Sequence, residues 1–296
     1  MRRDRAALDA LGGGARCTAR TRLELFDQRL LLARPTTVRE SDLLDLSFYQ
    51  FWRVFNVDRQ RLSRRRQERV VALTGTGWPA HARRAPVVVG LGGSVASGKS
   101  TFAAALAGDL APHRVEVVST DGFLFPNAVL AERDLTLRKG FPESYDEAAI
   151  TEFLGRVRAG DPEVSAPVYS HEVYDVVAER HAIGTPDVCI VEGVNVLRFA
   201  EILDVSVYLH ADEEHLIAWY SERFVRECAL ARTDETSFYR GWSGLPEAEQ
   251  RELARQFWYA INHPNLVDHI EPTAARADVV VVKAPDHTVS RIEWRG

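Results

Sequence analysis

Five short apolar runs, mostly β-branched, recur along the chain from residue 87 onward: Val87 to Val89, Val115 to Ser119 (VEVVS), Val188 to Val191 (VCIV), Val205 to Leu209 (VSVYL) and Val279 to Val282. Runs this short read as strands, and continuous apolar ones as strands covered on both faces. Between several of them the spacing turns helical, first at Thr101 to Leu110 (TFAAALAGDL) directly after the first strand. Strand and helix in alternation predict a largely parallel sheet flanked by helices, an α/β fold. Upstream, Leu43, Leu44, Leu46, Phe48, Phe51, Trp52 and Phe55 recur at helical spacing. They predict a helical extension over 21–80 that packs on a main domain over 81–296. Residues 1–20 are rich in Arg, Ala and Gly without a period and read as a flexible tail. No internal repeat or low-complexity tract is visible.

Composition narrows the class. The chain has 296 residues, enough for one large α/β unit, and 37 basic against 42 acidic side chains give a net charge of −5. That balance argues against a nucleic-acid binder working through a large positive field. The Arg-rich stretch Arg61 to Arg66 reads as a solvated face or linker. Cys17, Cys189 and Cys228 are few, odd in number and far apart, which indicates neither a disulfide framework nor a Cys-pair metal site. With no signal-like segment and no apolar run long enough to span a bilayer, the expectation is a soluble, cytoplasmic protein with no membrane partner.

The junction between the first strand and its helix carries the chemistry. Gly93, Ser94, Val95, Ala96, Ser97, Gly98, Lys99 and Ser100, followed by Thr101, spell the phosphate-binding loop in its strand-to-helix context. Glycines let successive N–H groups converge on phosphate oxygens, and the helix start adds partial positive charge. Lys99 is expected to reach the β- and γ-phosphates of ATP, and Ser100 to ligate Mg²⁺. The fold expected is therefore that of a P-loop NTPase.

Two carboxylates follow strands in the same way. Asp121, in S-T-D-G-F, either accepts the proton of an attacking hydroxyl or is a turn residue bonded to its own backbone. Glu192, heading E-G-V-N-V-L, either acts on the metal and its waters or caps the backbone. His171 lies in A-P-V-Y-S-H-E-V-Y-D, read as a substrate-facing loop; alone it would pass for an exposed histidine. Arg223, on an expected helix in W-Y-S-E-R-F, either steadies charge on a transferring phosphoryl group or is a surface arginine. The set suits a small-molecule kinase better than a regulatory nucleotide binder, and no N-K-x-D guanine-reading motif supports a GTPase switch.

Taken together, GSVASGKST, STDGFLFPN, RKGFPESYD (Arg138 to Asp146), APVYSHEVYDV and VEGVNVL resemble, in order and spacing, the motifs of the bacterial type I pantothenate kinases. The resemblance runs from about Leu43 to the C-terminus. It implies a typically dimeric P-loop kinase that makes 4′-phosphopantothenate from pantothenate and ATP, the first step towards coenzyme A. By motif it implies phosphate and Mg²⁺ roles for Lys99 and Ser100, and a catalytic base at Asp121. It implies a pantothenate and coenzyme A loop at Tyr169, His171 and Tyr174, and substrate or transfer roles for Tyr220, Arg223 and Asn262. Lys283 and His287 match an element near the nucleotide base.

Three departures qualify this. Residues 225–232 (VRECALAR) replace a run of apolar wall residues, so that Glu227 and Arg232 occupy wall positions or the segment is shortened. Either way the pocket becomes more polar or changes shape, which leaves a more polar alcohol or a nucleoside-type acceptor as the alternative substrate. After Asn262, His263-Pro264 stands in place of an apolar pair, and the proline is expected to break any continuing helix. Ala104 replaces an arginine that the family uses against coenzyme A phosphates. The consequence expected is weakened feedback by coenzyme A, an idea that an unchanged inhibition constant in an Ala104→Arg variant would refute.

Overall fold

In the computed structural model residues 85–295 are described; the expected tail over 1–20 and helical extension over 21–80 lie outside them. The strand sequence begins with β1 (Val87–Gly93), and helix α1 (Lys99–Asp109) follows across the phosphate loop. Next come β2 (Val115–Ser119), the short α2 (Asn127–Glu132) and α3 (Glu147–Ala159). A hairpin of β3 (Ser165–Ser170) and β4 (Asp175–Ala182) precedes β5 (Val188–Glu192) and β6 (Val205–His210). Helices α4 (Glu213–Leu230) and α5 (Glu247–Phe257) lead to a helical segment over 258–276, then β7 (Val279–Lys283) and β8 (Val289–Trp294).

Six strands make one sheet in the order β2, β5, β1, β6, β7, β8. Four neighbouring pairs are parallel, and β8 alone runs antiparallel, against β7. β1 sits centrally, Val87 beside Val188 and Val89 beside Val205, and every one of its residues is buried. Its alternation sorts the core. Val87, Val89 and Leu91 face one layer with Ala103 and Leu106 of α1. Val88 faces the other, with Ile150 and Leu154 of α3 and the fully buried Trp258. The five sequence-read strands thus occupy the five parallel positions. The connection from β1 leads past β5 to β2, while that from β5 leads past β1 to β6, so the strand order switches sides between β5 and β1, the kind of position where open α/β sheets gather ligand residues at the carboxyl ends of their strands.

Two expectations change. The stretch 166–175, read as a loop, is instead two paired strands joined by a tight turn, with a register shift between Pro167 and Val168. Pro167 and half-exposed faces hide the strand signal, because proline gives no ladder N–H and is tolerated only at edges and bulges. Pro264 does not break the helix: Asn262, His263, Asn265 and Leu266 all keep helical backbone angles. The chain widens there into π turns, with the N–H of His263 bonded to the carbonyl of Trp258 and that of Glu271 to Leu266. Widening makes room for the ring at a point where an α-helix would clash. No helix among the described residues is long and apolar enough to cross a membrane.

Candidate active site

The phosphate loop leaves β1 and closes at Gly98, whose φ of 83° is left-handed and opens α1. Ala96 also has positive φ, 63°, which a non-glycine residue adopts only where its surroundings hold it. This path turns consecutive backbone N–H groups inward as an anion-binding nest. The ammonium of Lys99 donates to the carbonyl of Ser94 at 2.8 Å. Burial lowers the Lys99 pKa, while Glu192 and Asp121 pull it back up. Lys283, buried at the end of β7, donates to the carbonyl of Ser97 at 3.2 Å from the other side of the loop.

Glu192 ends β5, 7% exposed, and accepts the Ser100 hydroxyl at 3.0 Å. Burial raises its carboxyl pKa; Lys99 lowers it, Asp121 raises it, and hydrogen bonds from Ser100 and Ser119 lower it. The carboxylate is thus bonded to the loop rather than capping backbone. Two hard oxygen donors beside a phosphate nest fit Mg²⁺.

Asp121 lies on a single 3₁₀ turn after β2, whose N-cap Ser119 hydroxyl accepts the Asp121 N–H. The turn is pressed against the hairpin: a Cβ on Gly122 would come 2.1 Å from the Pro167 carbonyl oxygen, so only glycine allows this approach. Because Ser119 supplies the turn contact, the Asp121 carboxylate is left to face the site. It accepts the Tyr145 hydroxyl at 3.1 Å. Burial, then the Asp121 charge, push the Tyr145 pKa far up, so this phenol stays a donor.

The hairpin and α4 bring a cluster of aromatic rings close to Asp121. Tyr174 has a left-handed φ of 56°, held by two donors on its carbonyl, Lys139 Nζ at 2.5 Å and Asn127 Nδ2 at 2.9 Å. Its ring stacks on Phe238, centroids 4.0 Å apart and 10° from parallel, and meets Tyr169 edge-on at 6.1 Å. Lys139 lies 4.0 Å from the Tyr174 ring and 4.9 Å from that of Tyr169. Burial lowers its pKa to about 8 against opposing pulls from Asp175 and Asp121. From α4, Arg223 lies 5.7 Å from the Tyr220 ring. Burial raises the Tyr220 pKa, while the nearby Asn262 side chain and Arg223 pull it down. Burial pushes Tyr174 up to about 12, and it senses Tyr220, Arg223 and Asp121.

Most of the expected residues converge here, with differences of degree. His171 is exposed at the hairpin turn, its ring 5.2 Å from Tyr169. His287 reaches the loop only indirectly, stacked at 4.1 Å on Trp219, whose indole donates to the Pro285 carbonyl and whose ring lies 5.5 Å from Lys283 Nζ. Arg232 lies past the end of α4, exposed and bonded to the Ser243 carbonyl, so it is not a wall residue. Glu227 is half-buried and close enough to Tyr239 to raise its pKa. Ala104 is exposed on α1. The sequence reading missed Lys139, Tyr145, Trp219 and Phe238 as site residues. The first two sat inside the quoted RKGFPESYD motif, where a cation and a phenol between turn residues were the available signal.

A phosphate nest, a buried carboxylate on its serine and a second carboxylate beside a cluster of aromatic rings are the features of a kinase of the P-loop class. Residues 88–229 match the model of the Phosphoribulokinase / Uridine kinase family. A relative from Sorangium cellulosum named pantothenate kinase is 46% identical over 226 residues, covering 72% of this chain and 73% of its own. Another of that name, from Vibrio cholerae, is 42% identical over 227 residues, with coverage of 71% and 73%. The chain belongs to the pantothenate kinase family. The fold is shared more widely: D-glycerate 3-kinase from Cryptococcus neoformans superposes with a TM-score of 0.56 at 13% identity, over 84% of this chain and 99% of that one.

Proposed function

We propose that the protein transfers the γ-phosphoryl group of ATP to the 4′-hydroxyl of pantothenate, opening the route to coenzyme A in the cytoplasm. The observation that carries this reading is the Asp121 carboxylate: held by the Tyr145 hydroxyl, within electrostatic reach of Lys99, and close enough to Tyr169 and Tyr174 to raise their pKa values. The loop N–H groups and Lys99 hold the triphosphate, and Lys283 with the Trp219–His287 stack borders the nucleotide side. Ser100 and Glu192 are the residues to hold Mg²⁺, which when bound neutralises charge shared by the β- and γ-oxygens. Asp121 takes the hydroxyl proton as the oxygen attacks phosphorus and the bond to ADP breaks. Arg223 stabilises the equatorial oxygens in transit. Tyr169, Tyr174 and Phe238 pack on the branched apolar middle of the acceptor, while Tyr220, Asn262 and Lys139 serve its polar groups.

Purified protein given ATP and a panel of alcohols should release ADP with pantothenate and form 4′-phosphopantothenate in equal amount. Release with another alcohol and none with pantothenate would overturn the assignment. The panel should include more polar acceptors, because Glu227 places a carboxylate beside Tyr239.

Lys139 adds a pH dependence. Two of its N–H groups are taken by Asn127 Oδ1 and the Tyr174 carbonyl, leaving the third for the acceptor. The charged form binds, and its pKa is near 8, so kcat/KM for pantothenate should hold below that pH and fall above it. Lys139→Met should lower kcat/KM and flatten this alkaline limb. An unaltered limb in the variant would assign it to another group.

A further inference from the structure

Glu213 opens α4, and one of its oxygens, Oε1, has two partners on the 258–276 segment: the Trp258 indole N–H at 2.8 Å and His263 Nδ1 at 2.6 Å. Trp258 is wholly buried, so the partly exposed Glu213 carboxylate is what satisfies its N–H. Burial pushes the Glu213 carboxyl up, but these two bonds more than offset it and hold the pKa below the usual range. About two turns further along the same side of α4, the Tyr220 ring lies 5.8 Å from that of Trp258, and its phenol is near enough to the Asn262 side chain for that group to lower its pKa against the larger effect of burial. Asn262 is therefore flanked on the segment by the two residues that Glu213 grips.

The local backbone needs such a grip. Trp258–Asn262 is a π turn, and Pro264 contributes no N–H, so Asn262 is less tightly fixed by its own helix than a residue in a regular α-helix. On its other side Glu213 borders a cavity of ≈ 260 Å³, shared with Ser94, His210, Leu266 and Glu271, where close packing does not tie α4 to the segment.

We propose that Glu213 is a positioning residue: through Trp258 and His263 it fixes Asn262 beside Tyr220, the two side chains that the pantothenate reading sets against the acceptor. The choice of acceptor in the test rests on the pantothenate reading; the clamp itself does not. Steady-state kinetics, thermal unfolding and amide hydrogen exchange are compared for wild type, Glu213→Ala and Glu213→Gln. Glu213→Ala should raise KM for pantothenate about tenfold, leave kcat and KM for ATP within about twofold, and speed exchange over 258–266. Glu213→Gln keeps an oxygen for both N–H groups and should stay within about threefold of wild type. An unchanged pantothenate KM in Glu213→Ala, or equal losses for both substrates with a lower Tm, would overturn the proposal. If the wild type turns over no pantothenate, the functional reading falls separately. Exchange then decides the clamp: faster exchange confined to 258–266 upholds it, and unchanged protection removes it.

Discussion

Asp121→Asn should reduce kcat by about 10²- to 10⁴-fold while leaving nucleotide affinity within about threefold. Asparagine has the same shape and still offers an oxygen to the Tyr145 hydroxyl, and the backbone N–H at 121 keeps its bond to Ser119. What is lost is the capacity to take a proton. The turn on which Asp121 rides is fixed from outside, by Gly122 against the Pro167 carbonyl, so the substitution should not move it. Tyr145→Phe is the companion variant: it removes the group that aims the carboxylate but not the base, and a loss of about tenfold or less is expected. Single-turnover measurements with saturating ATP separate the chemical step from product release. Turnover near wild type in Asp121→Asn would take the base role away from this residue.

How much of this was legible in the chain follows from which signals are local. Four of the five parallel strands announce themselves as short apolar runs buried almost throughout, and β2, which buries only Val118, does so by its β-branched run. The phosphate loop does so because its φ angles and backbone contacts demand particular residues at fixed spacing. The hairpin was not legible, since β3 and β4 are only half covered and Pro167 argues against a strand. β8, an edge strand with the alternating VSRIEW, gave too weak an apolar run to stand out. The fate of Pro264 was misread because a proline breaks an α-helix, whereas relief by widening depends on tertiary packing around the buried Trp258.

Site residues divide in the same way. Lys99, Ser100, Asp121 and Glu192 follow strand ends and could be read from position. Lys139 matters because the hairpin folds back until its ammonium meets the Tyr174 carbonyl, a contact across 35 residues of chain. No periodicity carries that information. Glu227 and Arg232 look alike as departures from an apolar wall, but α4 keeps the first half-buried beside Tyr239 and ends before the second.

Lys99→Met should abolish turnover, with a loss of about 10³-fold or more, while the folded protein is at least as stable as wild type. The two halves of this prediction have one cause. Burial depresses the Lys99 pKa, which means the folded state disfavours its charge relative to the unfolded chain. For a lysine with a depressed folded pKa that cost is present at pH 7 and fades only as pH rises towards the unfolded value, so removing the charge should not lower Tm near neutrality. The lost interaction is the one with phosphate oxygens during transfer, whereas within the protein itself the ammonium donates to the Ser94 carbonyl. A third readout ties the residue to its neighbours. Lys99 lowers the Glu192 pKa, so in Lys99→Met that carboxyl should rise further and the acid limb of residual kcat/KM should shift to higher pH. Arginine should not rescue, because its planar, wider head cannot take the place of a compact ammonium inside the loop. A variant that loses activity and Tm together would show Lys99 acting as a structural plug. Inactivity at undiminished Tm, with the displaced acid limb, would show a charge kept at a cost to stability for the sake of the transferred phosphoryl group.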